Sequence, residues 1–239
     1  MSRIIGIDTS SVELSIGLIK DGAPFLSFCR YDRNSHAEHI SDAITFMLNA
    51  GSINAADITH AAIAAGPGSF TGLRIGISFL KGFLLTRNVP VLAVSSLHSM
   101  AASFLKSDGS VMATIDARQG NLFCARFNRR NGSLVRITDD ALVPLGSFMK
   151  LLIKDEPVLF DTMGNKKNSM SSILQEHKNV YPAHEAFLQR GIACAHIAAG
   201  LIHDKEIWQK STDIFPNYLQ PSYAESNLFN KSLTPCCEQ

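Results

Sequence analysis

Asp8-Thr9-Ser10-Ser11 lies between two apolar runs, residues 3–7 and 14–19, and gathers a carboxylate and three hydroxyls into one turn. Backbone N–H groups in such a turn can converge on an anion such as a nucleotide phosphate. An aspartate there can equally accept its own backbone N–H groups and do nothing more. The turn by itself leaves the two readings level.

A second candidate is Gly66-Pro-Gly-Ser-Phe-Thr-Gly72, which leads from an apolar run into a helical pattern carrying Gly76 and Gly82. It is not a Walker A loop: Leu73 and Arg74 stand where Lys and Ser or Thr are needed. Amides at the start of a helix could still bind an anion, whereas the bland reading is a tight turn whose glycines supply positive φ. Glycines at 72, 76 and 82 each cost about 1 kcal/mol against alanine inside a helix. Some close approach of another backbone, in this chain or in a second subunit, must offset that cost.

The remaining constellations carry less. His36 and His39 share a helix face but have no third ligand nearby and no HExxH pattern, and His196 and His203 read as ordinary helix residues. No serine sits in a GxSxG elbow. The five cysteines, Cys29, Cys124, Cys194, Cys236 and Cys237, form no CxxC pair and leave one over, which fits a reduced cytosol. Arg126, Arg129 and Arg130 precede Asn131-Gly132 and read as a solvated hairpin. With a net charge of +1 there is no overall field to attract RNA, so another chain is expected to grip any RNA involved.

These side chains need a scaffold, and the pattern predicts one. Strands at residues 3–7, 14–19 and 24–30 form an antiparallel meander turned by Asp21-Gly22. Ser35 and Glu38 make a capping box for a helix over 36–50, with Ile40, Ile44, Met47 and Leu48 on one face and Gly51 as its stop. A buried strand at 57–65, a helix from 73, a strand at 89–94 and a helix at 97–105 follow. The polar stretch 106–110 is a boundary, after which strand, Asp116 turn, strand, Asn131-Gly132 turn and strand start the pattern again. A helix near 145–153, a strand at 157–160, a helix after Ser169 and an alanine-rich helix at 191–203 complete the reading. A composition of 46% hydrophobic and 18% charged residues suits a folded, soluble α/β protein. The N-terminus does not read as a signal peptide, and the apolar helices at 73–85 and 191–202 are too short to span a bilayer, so no membrane role is expected.

Ile5-Gly-Ile-Asp-Thr-Ser10, His36-Ala-Glu38, the segment from Gly66 to Gly76, Val94-Ser-Ser-Leu97, Ile115-Asp-Ala-Arg118 and Pro216-Asn-Tyr-Leu-Gln-Pro221 together resemble the TsaB (YeaZ) family. The resemblance implies an α/β, duplicated actin-like ATPase (ribonuclease H-like) fold: an N-terminal domain over 1–104 carrying pairing helices and a smaller C-terminal domain over 105–239. It implies a non-catalytic, cytoplasmic subunit. That subunit supports a TsaD-like catalytic partner in threonylcarbamoylation of tRNA adenosine 37, alongside a TsaE-like ATPase, self-pairs in isolation and meets tRNA through the complex. A partner interface is expected at His36, Gly68, Phe70, Thr71, Gly72, Arg74, Gly76 and Leu80, and a vestigial nucleotide site at Asp8, Thr9, Ser10 and Asp116. No intrinsic cofactor is expected, which leaves an interface with partner subunits as the place for ATP or ADP. The catalytic relative carries Asn-His-x-x-x-His where Ser96 and Met100 take the histidine places here, a poor ligand pair for Fe or Zn. Two departures stand out: Gln220 replaces the family's usual Arg, and Arg118 fills a turn where a nucleotide binder needs glycine. The competing reading is an ATP-dependent phosphotransferase or a metallopeptidase-like enzyme of the same fold.

Overall fold

The computed structural model describes residues 1–31, 36–163, 177–183 and 189–220. The first sheet begins as the expected meander, β1 (Arg3–Asp8), β2 (Glu13–Lys20) and β3 (Ala23–Tyr31), and continues through α1 (His36–Ala50), β4 (His60–Gly66), α2 (Phe70–Leu84) and β5 (Val91–Ser95). Its strand order is β3-β2-β1-β4-β5, antiparallel across β3-β2-β1 and parallel across β1-β4-β5. After α3 (Ser96–Phe104) the second sheet repeats the plan with β6 (Gly109–Arg118), β7 (Asn121–Arg130), β8 (Ser133–Arg136), β9 (Ala141–Pro144), α4 (Leu145–Phe148), β10 (Val158–Asp161) and β11 (Val180–Pro182). Its order, β8-β7-β6-β10-β11 with β9 also on β7, matches the first sheet strand for strand and direction for direction. The expected duplication is therefore present in the topology.

Alternation along the strands decides what covers each face. Ile5 and Ile7 of β1, with Ala61 and Ile63 of β4, point toward α1 and α2 and pack on Ile40, Ile44, Met47, Ile77 and Leu80. Ile4, Ala62 and Ala64 point the other way, to Cys194, Ala195 and Ala198 of α5 (Arg190–Gly200). Because both faces are covered, these strands read as continuous apolar runs. In the second sheet Val111, Ala113, Ile115 and Phe127 pack on Leu97, Met100 and Ala101 of α3, while Met112, Leu122 and Phe160 pack on Phe148 of α4. The layers run α1 and α2, first sheet, α3 and α5, second sheet, α4.

α5 lies beyond the boundary expected at 104/105 yet returns to the first sheet. Gly6 and Gly17 face each other across β1 and β2. A Cβ at Gly6 would stand 2.2 Å from Gly191 O, and one at Gly17 would stand 2.3 Å from Ile192 Cα. The paired glycines open the sheet surface to the α5 backbone, and Gly191 N–H donates to Ser15 Oγ at 2.9 Å.

Three expectations differ from the structure. The helix near 145–153 shortens to α4 and a 3-10 turn at Met149–Leu151, and β9 and β11 add strands that the pattern did not suggest. The Ser35 cap, the helix after Ser169, Pro221, Cys236 and Cys237 lie outside the described residues. None of the helices described is long and apolar enough to cross a membrane.

Candidate functional site

Asp8 ends β1 and is 1% exposed. Its Oδ1 accepts the N–H and the hydroxyl of Ser10, at 2.8 and 2.6 Å, and its Oδ2 accepts the Ser99 hydroxyl of α3 at 2.9 Å. The Ser10 N–H, a donor that a phosphate would use, is thus committed to the neighbouring carboxylate. The Thr9 hydroxyl donates to Gly72 O at 2.8 Å, the Ser69 N–H donates to Ser10 O at 2.7 Å, and His36 Nε2 donates to Ser11 O at 2.8 Å. The turn is laced to α1, α2 and α3 from within the chain.

The glycines of the 66–76 segment make that lacing sterically feasible. A Cβ would come within 2.4 Å of Ser10 O at Gly68, 2.1 Å of Thr9 O at Gly72 and 2.2 Å of Thr9 Oγ1 at Gly76. Gly68 also holds φ at +156°, which L side chains rarely adopt. Of the close approaches inferred from the helix glycines, the one at Gly72 is the Thr9 backbone of this chain and the one at Gly76 is the Thr9 side chain, while a Cβ at Gly82 meets open space. Ser69 caps α2 by accepting the Gly72 N–H at 3.1 Å.

The second half carries the same device. Asp116 lies two residues before the end of β6, still in its buried stretch, and its Oδ1 accepts the Arg118 N–H at 2.8 Å. Arg118, Gln119 and Gly120 follow with φ of 66°, 52° and 74°. Between this turn and the 66–73 loop lies a cleft of about 400 Å³, lined also by Phe123, Leu142, Tyr218 and Gln220. Tyr218 stacks on Phe70 at 4.6 Å, and the Arg74 guanidinium sits 3.8 Å over the Phe70 ring and donates to Tyr218 Oη at 2.9 Å. Gln220, in the place of the family's arginine, donates from Nε2 to Ala117 O at 3.1 Å and ties the late segment to the Asp116 turn.

A third strand-terminal aspartate, Asp161 of β10, accepts the Met163 N–H at 2.9 Å and faces Arg190 of α5, 2.5 Å away. Arg190 is 3% exposed, and the same Nη2 donates to Met100 Sδ at 3.3 Å. Desolvation works against its charge, but Asp161, Asp8 and Glu13 prevail and hold its pKa above the ordinary value. Burial raises the pKa of Glu13, with Arg190 pulling the other way. Ser96 and Met100, at the places of the relative's histidines, are fully buried, and a guanidinium now stands beside the second. Among the described residues no three His, Cys, Asp or Glu side chains converge to hold a metal.

Of the expected interface residues, His36, Gly72, Gly76 and Leu80 are buried within the chain, Gly68 and Phe70 are half-buried, and Thr71 and Arg74 face solvent. The structure joins Asp8, Thr9 and Ser10 to this same cluster; Asp116 lies across the cleft. Sequence reasoning missed Ser99, Glu13, Asp161 and Arg190. Asp161 had a signal, since Val158-Leu-Phe-Asp161 ends an apolar strand in aspartate as Ile7-Asp8 and Ile115-Asp116 do.

One sheet plan used twice, with an aspartate turned back on its own backbone at the end of the first strand of each half, defines a duplicated actin-like ATPase fold. The family model described as tRNA N6-adenosine threonylcarbamoyltransferase, TsaD, matches residues 32–220. The tRNA threonylcarbamoyladenosine biosynthesis protein TsaB of Bacillus subtilis is 33% identical over 158 residues, covering 66% of this chain and 69% of that protein. Its Escherichia coli namesake is 36% identical over 129 residues, 53% of this chain and 55% of that one. The chain belongs to the TsaB (YeaZ) family within this wider group. Among solved structures, YeaZ from Pseudomonas aeruginosa superposes with a TM-score of 0.75 at 21% identity, over 92% of this chain and all of that one. The Clostridium difficile activator of 2-hydroxyisocaproyl-CoA dehydratase, solved with bound ADPNP, superposes with a TM-score of 0.51 at 9% identity, over 85% of this chain and 97% of that one.

Proposed function

We propose that this chain is the non-catalytic subunit that supports a TsaD-like partner in threonylcarbamoylation of adenosine 37 of tRNA. Family membership supports the pathway, since the relatives are named for threonylcarbamoyladenosine biosynthesis. The observation that carries the supporting role is the closed Asp8 turn. In a nucleotide-binding relative that turn would face phosphates; here Ser10, Ser99 and the 66–76 segment occupy it. The Arg190 guanidinium beside Met100 adds to this, because it already takes up the Asp161 carboxylate that a metal cation would otherwise claim.

The partner face in this proposal is the solvent side of α1 and α2. Thr71 and Arg74 of the expected set lie there, with Phe46 of α1 at 65% exposure and Leu85 at 74% supplying apolar area. A TsaD-like chain, or a second copy of this one in its absence, would cover that face, with a TsaE-like ATPase completing a cytoplasmic assembly. ATP or ADP would then occupy an interface between subunits and not the Asp8 turn.

Co-purification with a TsaD-like subunit, followed by a tRNA threonylcarbamoylation assay with each chain alone and both together, tests the reading. Activity only with both chains, retained in Asp8→Ala, is the expected result. Modification or ATP turnover by this chain alone would replace the proposal with the phosphotransferase reading.

A further inference from the structure

A second groove, of about 600 Å³, lies between α3, α5 and the β7–β8 hairpin. Leu105 and Ile197 belong to its apolar lining, and Lys106, Arg129, His98 and His196 supply its ionisable groups. Among the described residues no aspartate or glutamate lines it. Lys106, Gly132, Ser133 and Gly200 at its edge are exposed, so it is an open trough. A chain can run along such a trough.

The charges in this trough lack compensation. Burial, followed by Arg129, lowers the pKa of Lys106; burial, followed by Lys106 and Arg129, lowers that of His196. One Arg129 nitrogen donates to Gly132 O at 2.6 Å, while its Nε is buried without a partner. Asp108, at the foot of the same hairpin, spends a carboxylate oxygen on the Asn131 N–H at 3.2 Å. His98 is stacked on Phe127 at 5.2 Å and is held neutral, its pKa lowered to about 4 by burial and then Arg136, against Asp140. Like charges packed together without a counter-ion are costly, and a bound anion relieves the repulsion. The whole chain carries only +1, so this positive potential is a local feature.

We propose that this trough docks the phosphodiester backbone of RNA, with Lys106 and Arg129 as the phosphate ligands and the His98 and His196 rings beside the sugars and bases. RNA recognition combines cationic contacts to phosphate with flat rings for exposed bases, and the trough offers both. The choice of RNA rests on the tRNA-modification reading above; the anion chemistry rests on the trough itself. The sequence reading treated Arg129 as part of a solvated hairpin and left RNA to another chain; the trough gives that arginine a second role.

The test is equilibrium binding of the full chain to unmodified tRNA by fluorescence anisotropy, repeated across a series of KCl concentrations. Lys106→Gln and Arg129→Gln are each expected to weaken binding roughly 3- to 10-fold at low salt and to reduce the log–log salt slope by about 1, with Lys106→Arg near wild type. Lys20→Gln, on β2, is the control and keeps both values. Thermal unfolding of Arg129→Gln separates lost binding from a loosened hairpin, and Lys106, whose amine makes no hydrogen bond or ion pair among the described residues, carries the result independently. Absent tRNA binding, variants that bind as wild type, or full competition by inorganic phosphate at equal phosphate concentration would each overturn the proposal. The measurement needs neither the partner nor the modification reaction, so its failure is distinguishable from failure of the functional reading.

Discussion

Gly76 and Gly82 sit on the same helix, and alanine at the two positions is expected to move stability in opposite directions. Alanine replaces glycine in a helix with a gain of about 0.8–1 kcal/mol. At Gly82 nothing lies within 4 Å of the new methyl, so that gain stands, and the melting temperature rises by about 2–4 °C for a chain of this size. At Gly76 the methyl would arrive 2.2 Å from Thr9 Oγ1 and 3.3 Å from Thr9 Cβ and Cγ2. Overpacking costs of this kind run to about 3 kcal/mol, leaving a net loss of about 2 kcal/mol and a fall of about 4–8 °C. Thr9→Ala removes the colliding oxygen together with its bond to Gly72 O, a loss of about 1 kcal/mol by itself. In the double variant the collision is gone, so the two costs should fall short of adding by up to about 3 kcal/mol, the size of the overpacking cost removed. Urea denaturation of the four proteins and of Gly82→Ala, with the m-value required to stay constant, reads these numbers directly. If Gly76→Ala were as stable as Gly82→Ala, or if the Thr9 and Gly76 costs simply added, the internal clamp between the turn and α2 would not exist. A sequence reader who placed Gly76 in a subunit contact would expect the opposite: a stable monomer that fails to pair.

Asp161→Asn keeps the acceptor for the Met163 N–H but removes the charge facing Arg190, and breaking a buried pair of this sort costs about 3 kcal/mol. Thermal unfolding should show a fall of about 6–12 °C, whereas Arg3→Met, which breaks the more exposed Arg3–Asp57 pair at 3.6 Å, should cost under about 1 kcal/mol. Glu13 holds its proton more tightly folded than unfolded. Its contribution to stability is therefore complete below the ordinary value of 4.5 and is lost as pH rises through the raised folded value. Glu13→Gln should accordingly be more stable than wild type at pH 7 and lose that advantage by pH 4, read from melting temperatures at both; an equal or larger advantage at pH 4 would reverse the sign argued here. The Cys29 thiol is pushed up to about 11, by burial first, so its alkylation by iodoacetamide should keep accelerating between pH 8 and 10 without a plateau, as followed by peptide mapping.

The bounds of α1, at 36–50, were legible because Ile40, Ile44, Met47 and Leu48 recur at helical spacing and Gly51 stops the run. The restart at Asp116 was legible for a similar reason: strand, aspartate and turn recur in order. β9 and β11 were not, since four and three residues hold no period, and their pairing is imposed by β7 and β10. The helix expected at 145–153 was half legible: Leu145, Phe148, Met149 and Leu152 do pack on the second core at helical spacing, but only Phe148 is fully buried and the second turn tightens to a 3-10 turn. At the site, glycine spacing announced that something must approach α2. Only the fold could say that it is Thr9, more than sixty positions earlier in the chain. The Asp161–Arg190 pair was invisible for the same reason, because no local pattern joins the end of one strand to a helix that returns to the other sheet.

That returning helix also bears on synthesis. The first sheet has one apolar face, with Ile4, Ile19, Ala62 and Leu92, that stays open until the α5 residues Cys194, Ala195 and Ala198 arrive. A nascent chain leaving the ribosome therefore cannot close its N-terminal half when that half is complete; it must carry a sticky sheet through translation of nearly another hundred residues. The two halves resemble one another in plan, yet the first is finished by a piece encoded in the second, and that makes the molecule one folding unit.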